Sequence, residues 1–306
     1  MASSTLGCGM AANPLGAGAT AVLPARRARP GAWTTLVRFC RKKPLGAAGG
    51  VIMLLILLTA VFADQLQTYD PIATDAAQSL APPSWDHWLG SDHLGRDIYS
   101  RIVHGARVSL MVGVASTLMG SVLGGIIGLL SAYVGGKTDL ITQRFMDILQ
   151  GLPLLVLALV MSAALGPSIG NVILAISIPI IPRAARVIRA SVLTIREMQY
   201  VEAARAIGLR HLRIAFRHIL PNAIMPAIVF SVSDAVIDIV LGSSLSYLGL
   251  GIQPPTPEWG LMIAEGQTFI ATAWWMTGFP GLAIMLLATG FSLRADGFAE
   301  KLGLRD

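Results

Sequence analysis

Six apolar runs in this 306-residue chain are long enough to consider as membrane spans, and no other feature limits its fold so tightly. In a bilayer each backbone N–H and C=O must be satisfied internally, so such runs read as helices. The first, GAAGGVIMLLILLTAVFA at 46–63, measures about 27 Å as a helix at about 1.5 Å per residue. The second, at 108–134, is VSLMVGVASTLMGSVLGGIIGLLSAYV, and the third, at 146–165, is MDILQGLPLLVLALVMSAAL. The fourth, IGNVILAISIPII from 169, runs into Arg183. Pro179 and Pro182 interrupt it, which membrane helices accept where neighbours satisfy the freed backbone groups. The fifth falls within 222–248 and the sixth within about 275–293. Composition agrees: 54% of residues are hydrophobic and 13% charged, where soluble domains carry about a quarter charged.

Basic residues set the orientation. Arg26, Arg27, Arg29, Arg38, Arg41, Lys42 and Lys43 precede the first span with no acid among them, whereas residues 64–106 hold six aspartates against Arg96 and Arg101. Eight arginines, from Arg183 to Arg217, separate the fourth and fifth spans, and residues 248–274 contain no Lys or Arg. This alternation predicts both termini and the segment 183–221 in the cytosol. The net charge of +6 then reflects topology rather than nucleic acid. The basic start and the run ending VFA-D resemble a signal peptide, but the 45 preceding residues and five further spans make it an uncleaved signal-anchor. Residues 1–30, rich in Ala, Gly, Ser and Pro, read as a disordered cytosolic tail. Cys8 and Cys40 read as reduced thiols with no metal spacing.

The stretch EAARAIGLRHLRIAFRHILPN at 202–222 is out of character with its surroundings, carrying four arginines, two histidines and one glutamate. Val201, Ala204, Ile207, Leu209 and Leu212 recur at near-helical spacing, Gly208 breaks the pattern, and Pro221 suits the first turn of the next span. The spacing predicts a short amphipathic helix, a turn at Gly208 and a helix leading back into the membrane. A basic interfacial helix on anionic lipid is the plainer reading of the same residues.

EAA, three residues, Gly208, nine residues and HILP resemble the EAA loop of permease subunits of bacterial ABC importers, with His218 where that family has isoleucine. Three further features resemble the dipeptide and oligopeptide branch: HWLGSDHLGRDIYSRIVHGARVSL at 87–110, LSYLGLGIQPPTPEWGLMI at 245–263, and the six-span layout. The resemblance covers most of residues 40–306 and is to the second permease subunit. It implies an all-α integral membrane protein with six transmembrane helices, a type I ABC importer permease fold and a cytosolic coupling helix. Glu202, Ala203, Ala204, Arg205, Gly208, Leu209, Leu220 and Pro221 then form the ATPase-coupling set. Within it Glu202 makes polar contact, Ala203 and Ala204 permit close packing, and Gly208 sets the turn.

Other stretches carry residues suited to chemistry. VGGKTD at 134–139 is similar to a phosphate loop, but Ser131 replaces the first glycine and a long apolar run precedes it. Gly120, Gly124 and Gly128 form a ladder that lets another helix approach, with Gly113 and Ser116 on nearby turns. Asp234 and Asp238 stand i, i+4 in the fifth span, and a carboxylate there should face a bundle interior or a watery path. Where the family commonly has a glutamate before its LGLG stretch, this chain has Gly242. Asp234, Asp238, Gly242 and Ser246 are therefore the candidate translocation residues, with a structural Asp pair as the rival reading. Asp86, His87, Asp92, His93 and Asp97 invite a metal, yet lack an i, i+4 His pair. Trp85, Trp88, Trp259, Trp274 and Trp275 read as interface anchors. No nucleophile elbow or HExxH occurs, so the chain is not expected to be an enzyme.

The domain plan is a cytosolic basic tail at 1–45, a span at 46–63, an extracytoplasmic segment at 64–106, a permease core at 107–293 with its EAA loop at about 196–221, and a cytosolic tail at 294–306. The expected partners are a second homologous permease, one fused or two separate ABC ATPase subunits, an extracytoplasmic solute-binding protein, a peptide and the lipid bilayer. The cell membrane is the expected location, and nucleic acid is not a partner. Asp92, Gly95, Arg96, Asp97 and Trp259 are the candidate docking residues for the binding protein. No cofactor is expected in the chain; ATP and magnesium belong to the ATPase. Nickel chelate, glutathione and haem are the alternative cargoes, and an ATP-independent channel or scaffold is the alternative class.

Overall fold

The computed structural model describes residues 44–301, with side chains to Arg294. The N-terminal basic stretch, Cys8, Cys40 and residues 302–306 of the C-terminal tail lie outside the described residues. Nine helices carry the fold. They are α1 Pro44–Val61, α2 Ile98–Val134, α3 Gly136–Gln150, α4 Leu154–Leu165, α5 Ile169–Ile195, α6 Gln199–Ala206, α7 His211–Tyr247, α8 Trp259–Gly266 and α9 Trp275–Lys301. No strand occurs among the described residues. Five helices (α1, α2, α5, α7 and α9) are long and apolar enough to cross a membrane, six spans if the bent pair α3–α4 counts as one.

Each helix end has a local cause. The Asp97 carboxylate accepts from the Ser100 amide at 2.8 Å and so starts α2, ten residues before the apolar run itself begins. Ser168 caps α5 through the Asn171 amide at 3.1 Å. Between α3 and α4 the chain turns by 89° at Gly151, Leu152 and Pro153, since proline has no N–H to continue the ladder. α5 runs unbroken through Pro179 and Pro182 to Ile195. The segment expected as a polar loop from 183 is thus helical for its first thirteen residues, because Ala184, Ala185, Ile188, Val192 and Ile195 bury one face of it. α7 likewise starts at His211, so Pro221 lies inside the helix rather than at its start, just after a π-turn at Ala215–Ile219.

α2 and α5 form the most extensive helix pair. Gly120, Gly124 and Gly128 press on α5; a Cβ on Gly124 would run into the Ile181 carbonyl and one on Gly128 into that of Ala185. Gly113 faces Ile239 of α7 instead. One end of the bundle is closed by a cap made of residues 64–97 and α8. The other end carries α6, packed in a core with Leu129, Ile188, Val192, Ile214 and Ile219.

Candidate functional site

Three polar constellations stand out from the apolar packing. The first is α6 and its turn. Val201 and Ala204 point into the bundle, where both are buried, while Glu202, Ala203, Arg205, Ala206 and Ile207 are exposed. Ile207 is 75% exposed, which is unusual for an isoleucine at the end of a helix. Gly208 has φ +75°, the left-handed conformation that ends the helix and sends the chain toward α7. Leu209 and Leu220 pack on the core that holds Ala204, and Pro221 is exposed. Of the two alanines expected to admit a partner, only Ala203 is outward. Ala204 is small because it sits against this chain's own helices.

The second lies mid-bundle. Arg183 of α5 donates to Asp234 Oδ1 at 2.7 Å and to Asp238 Oδ1 at 3.3 Å, and Thr117 of α2 donates to Asp238 Oδ2 at 2.7 Å. Both aspartates are buried, and Asp234 Oδ2 and Arg183 Nε have no partner among the described residues. The i, i+4 pair therefore faces the bundle interior, where it ties α7 to α5 and α2. Arg183, read in the sequence as one more cytosolic charge, is the centre of this group. The Asp pair marked the aspartates in advance; Arg183 carried no such sign beyond its nearness to an apolar run.

Gly242 and Ser246 are also buried. With Ser109, Ser243 and Glu258 they line a small cavity between α2, α7 and the start of α8. Glu258 caps α8 through the Leu261 amide at 2.8 Å and accepts from Ser109 Oγ at 3.3 Å. Burial pushes its carboxyl up, against the backbone amides of Gly260 and Leu261 and the hydroxyls of Ser246 and Ser109. Ser243 Oγ, lining the same cavity, is unpartnered. Glu258 was not singled out from sequence; a lone acid beside Trp259 in a loop gives no signal of being enclosed.

The third is the cap. Asp92, Gly95, Arg96, Asp97 and Trp259 are all buried. Arg96 donates to Asp92 Oδ2 at 2.6 Å and to Glu265 Oε2 at 2.9 Å, and Arg101 reaches the same Glu265 oxygen at 3.0 Å. Asp97 also pairs with His87 at 2.9 Å, and Trp259 Nε1 donates to the Ile102 carbonyl at 3.0 Å. Gly95, at φ +76°, rests on the Asp75 backbone. These side chains clamp residues 68–97 to α2 and α8, and so offer nothing to a visiting protein. The exposed part of the cap is elsewhere: Pro82, Pro83, Asp86, Trp88 and Trp85, the last 96% exposed. Trp275, like Trp259, is buried, donating to the Ser91 carbonyl at 3.1 Å.

Residues 120–302 match the family described as binding-protein-dependent transport system inner membrane component. Residues 32–83 match the N-terminal TM domain of oligopeptide transport permease C. The chain is 40% identical over 267 residues, 87% of its length and 90% of the relative's, to the probable D,D-dipeptide transport system permease protein DdpC of Escherichia coli K12. It is 41% identical to the di/tripeptide transport system permease protein DppC of Pseudomonas aeruginosa, covering 84% of this chain and 87% of that one. It is 38% identical to the glutathione transport system permease protein GsiD of Pectobacterium atrosepticum, covering 88% and 90%. Its fold is similar to that of the inward-facing methionine ABC transporter MetNI, with a TM-score of 0.54 at 16% identity over 66% of this chain and 96% of that one. An amino acid ABC transporter with histidines has the same fold, at a TM-score of 0.51 and 19% identity over 66% and 94%.

Proposed function

The chain belongs to the binding-protein-dependent transport system inner membrane component family, and from that premise we propose that it is one of two permease subunits of an ATP-driven importer of di- and oligopeptides. The single observation that carries the coupling role is the two-sided packing of α6. Its inner face is locked into the bundle by Val201 and Ala204, and its outer face offers Glu202, Ala203, Ala206 and Ile207. A short element held rigidly on one side and free on the other transmits a push as a rigid-body movement. α6 faces the cytosol on this reading, with both termini on the same side. A groove of the ATPase receives its outer face, and ATP and magnesium are bound and hydrolysed there.

A second, homologous permease completes the pathway, since one bundle of this size encloses no space wide enough for a peptide. The pathway runs along the exposed side of α7, past Ser233, Ile237 and Val240. Asp234 and Asp238 stand behind that side and hold α5 in place. A solute-binding protein docks on the outer cap around Trp85, Asp86 and Trp88. Nucleotide binding then shifts the permease pair between inward-facing and outward-facing populations.

Cysteine at Ala203, cross-linked in the assembled transporter, tests this. Capture of an ATPase subunit, lost when ATPase genes are deleted, is the expected result. Capture of lipid alone would replace the coupling role by an interfacial helix. Uptake of labelled dipeptide with glutathione as competitor then fixes the cargo.

A further inference from the structure

The start of α7 is short of backbone donors. The π-turn at Ala215–Ile219 sends the Leu220 amide to the Ala215 carbonyl, five residues back, and Pro221 has no N–H to offer the next carbonyl in line. Two side chains meet at the His218 carbonyl, within this turn. Asn222 Nδ2 donates to the His218 carbonyl at 2.8 Å and to the Tyr200 hydroxyl at 3.2 Å, and that hydroxyl in turn lies 3.5 Å from the same carbonyl. Tyr200 belongs to α6, so this three-centre contact is a polar bond between the coupling element and the membrane helix. Another polar tie at the same level runs from α2: Tyr133 OH lies 2.9 Å from His211 Nδ1, with the Arg205 guanidinium 5.8 Å from the Tyr133 ring centre.

We propose that Tyr200 and Asn222 form the joint through which displacement of α6 bends α7, with the π-turn as its compliant segment. Both are positioning residues. The apolar core holds α6 to the bundle, and a hydroxyl and an amide converging on one carbonyl add a bond with a fixed direction. A π-turn has a spare residue per turn, so it can tighten toward α-helix without unfolding. A push on the outer face of α6 is delivered by the joint at the C-terminal end of this turn, between His218 and Asn222, where α7 passes into its apolar stretch.

The inference rests on the coupling role proposed above, and the test separates the two. The whole transporter, with its ATPases and binding protein, is reconstituted in proteoliposomes carrying Y200F, N222A or both. Peptide taken up per ATP hydrolysed is expected to fall about three- to tenfold in each single variant, as for loss of one well-placed hydrogen bond. The double variant falls no further, because the two residues act as one unit. ATP hydrolysis and the unfolding midpoint stay near wild type. Unchanged uptake per ATP overturns the joint, as does a fall that merely tracks a lower midpoint; Y200F, which keeps the ring and loses only the hydroxyl, decides if N222A folds poorly. If Ala203 captures no ATPase in the wild-type assembly, the coupling role itself fails and the joint with it.

Discussion

Arg183 Nη1 lies 2.7 Å from Asp234 Oδ1, an ion pair between two helices inside an apolar bundle. One guanidinium there serves two carboxylates, with Asp238 at 3.3 Å. Removing one partner of a buried pair costs more than the pair contributes, since the remaining charge is left without compensation.

Arg183→Met is therefore expected to destabilise the subunit by about 3 kcal/mol or more. In detergent its unfolding midpoint should drop well below wild type, and adding D234N and D238N should recover much of the loss. Equal midpoints for wild type and the single variant would remove the triad from the stability of the fold.

Gly124 and Gly125 are neighbours on α2 but meet different surroundings. A methyl on Gly124 presses on the α5 backbone, whereas one on Gly125 comes no nearer than 3.7 Å to Ile188. Gly124→Ala should cost about 1–3 kcal/mol by overpacking, and Gly125→Ala close to nothing. Thermal unfolding of the two variants side by side checks the α2–α5 contact.

Arg101 is fully buried and shares Glu265 with Arg96. Arg101→Met should cost about 2 kcal/mol or more and loosen the cap, because one arginine then holds a carboxylate that two held before. Limited proteolysis should cut between residues 68 and 97 in the variant at protease levels that spare the wild type. Wild-type resistance in R101M would show that the cap stands without this bond.

Glu258 has its carboxyl pushed up by burial, so the folded protein keeps that proton at pH values where the unfolded chain has lost it. Its contribution to stability is full below the unfolded value of about 4.3 and is lost as pH rises through the folded value. The unfolding midpoint of the wild type should therefore fall with rising pH above that point. Glu258→Gln, which carries no charge at any pH, should flatten the slope. Identical slopes in the two proteins would place the pH dependence elsewhere.

Much of the fold was legible because lipid leaves few choices. Apolar length placed a helix at each long run, closely for 46–63 against Pro44–Val61, though α2 and α7 start well before their apolar runs and α5 continues to Ile195. The ends were less legible, since polar residues also extend a helix when something buries them: Arg101 lies in the first turns of α2 under the cap, and Arg183 sits within α5 beside two aspartates. The bend between α3 and α4 was missed for a different reason. GLP within an apolar run does not say whether a neighbour will hold the helix straight.

The candidate sites divide along the same line. The spacing of EAA, Gly208 and LP marked α6 and its turn at Gly208, but not that Ala204 faces inward and Ile207 outward. The signature around Asp92 and Arg96 was visible as a motif and misleading as a surface.

The sequence by itself determined that this chain spans a membrane, roughly where it does so, and which family it joins, because apolar length and backbone satisfaction are local properties. Only the tertiary structure decided which charges are buried and with whom. Arg183 and Asp234 stand 51 residues apart, as Arg96 and Glu265 stand 169 apart. Whether a charge is a surface group or an internal tie depends on a partner that no window of neighbouring residues contains.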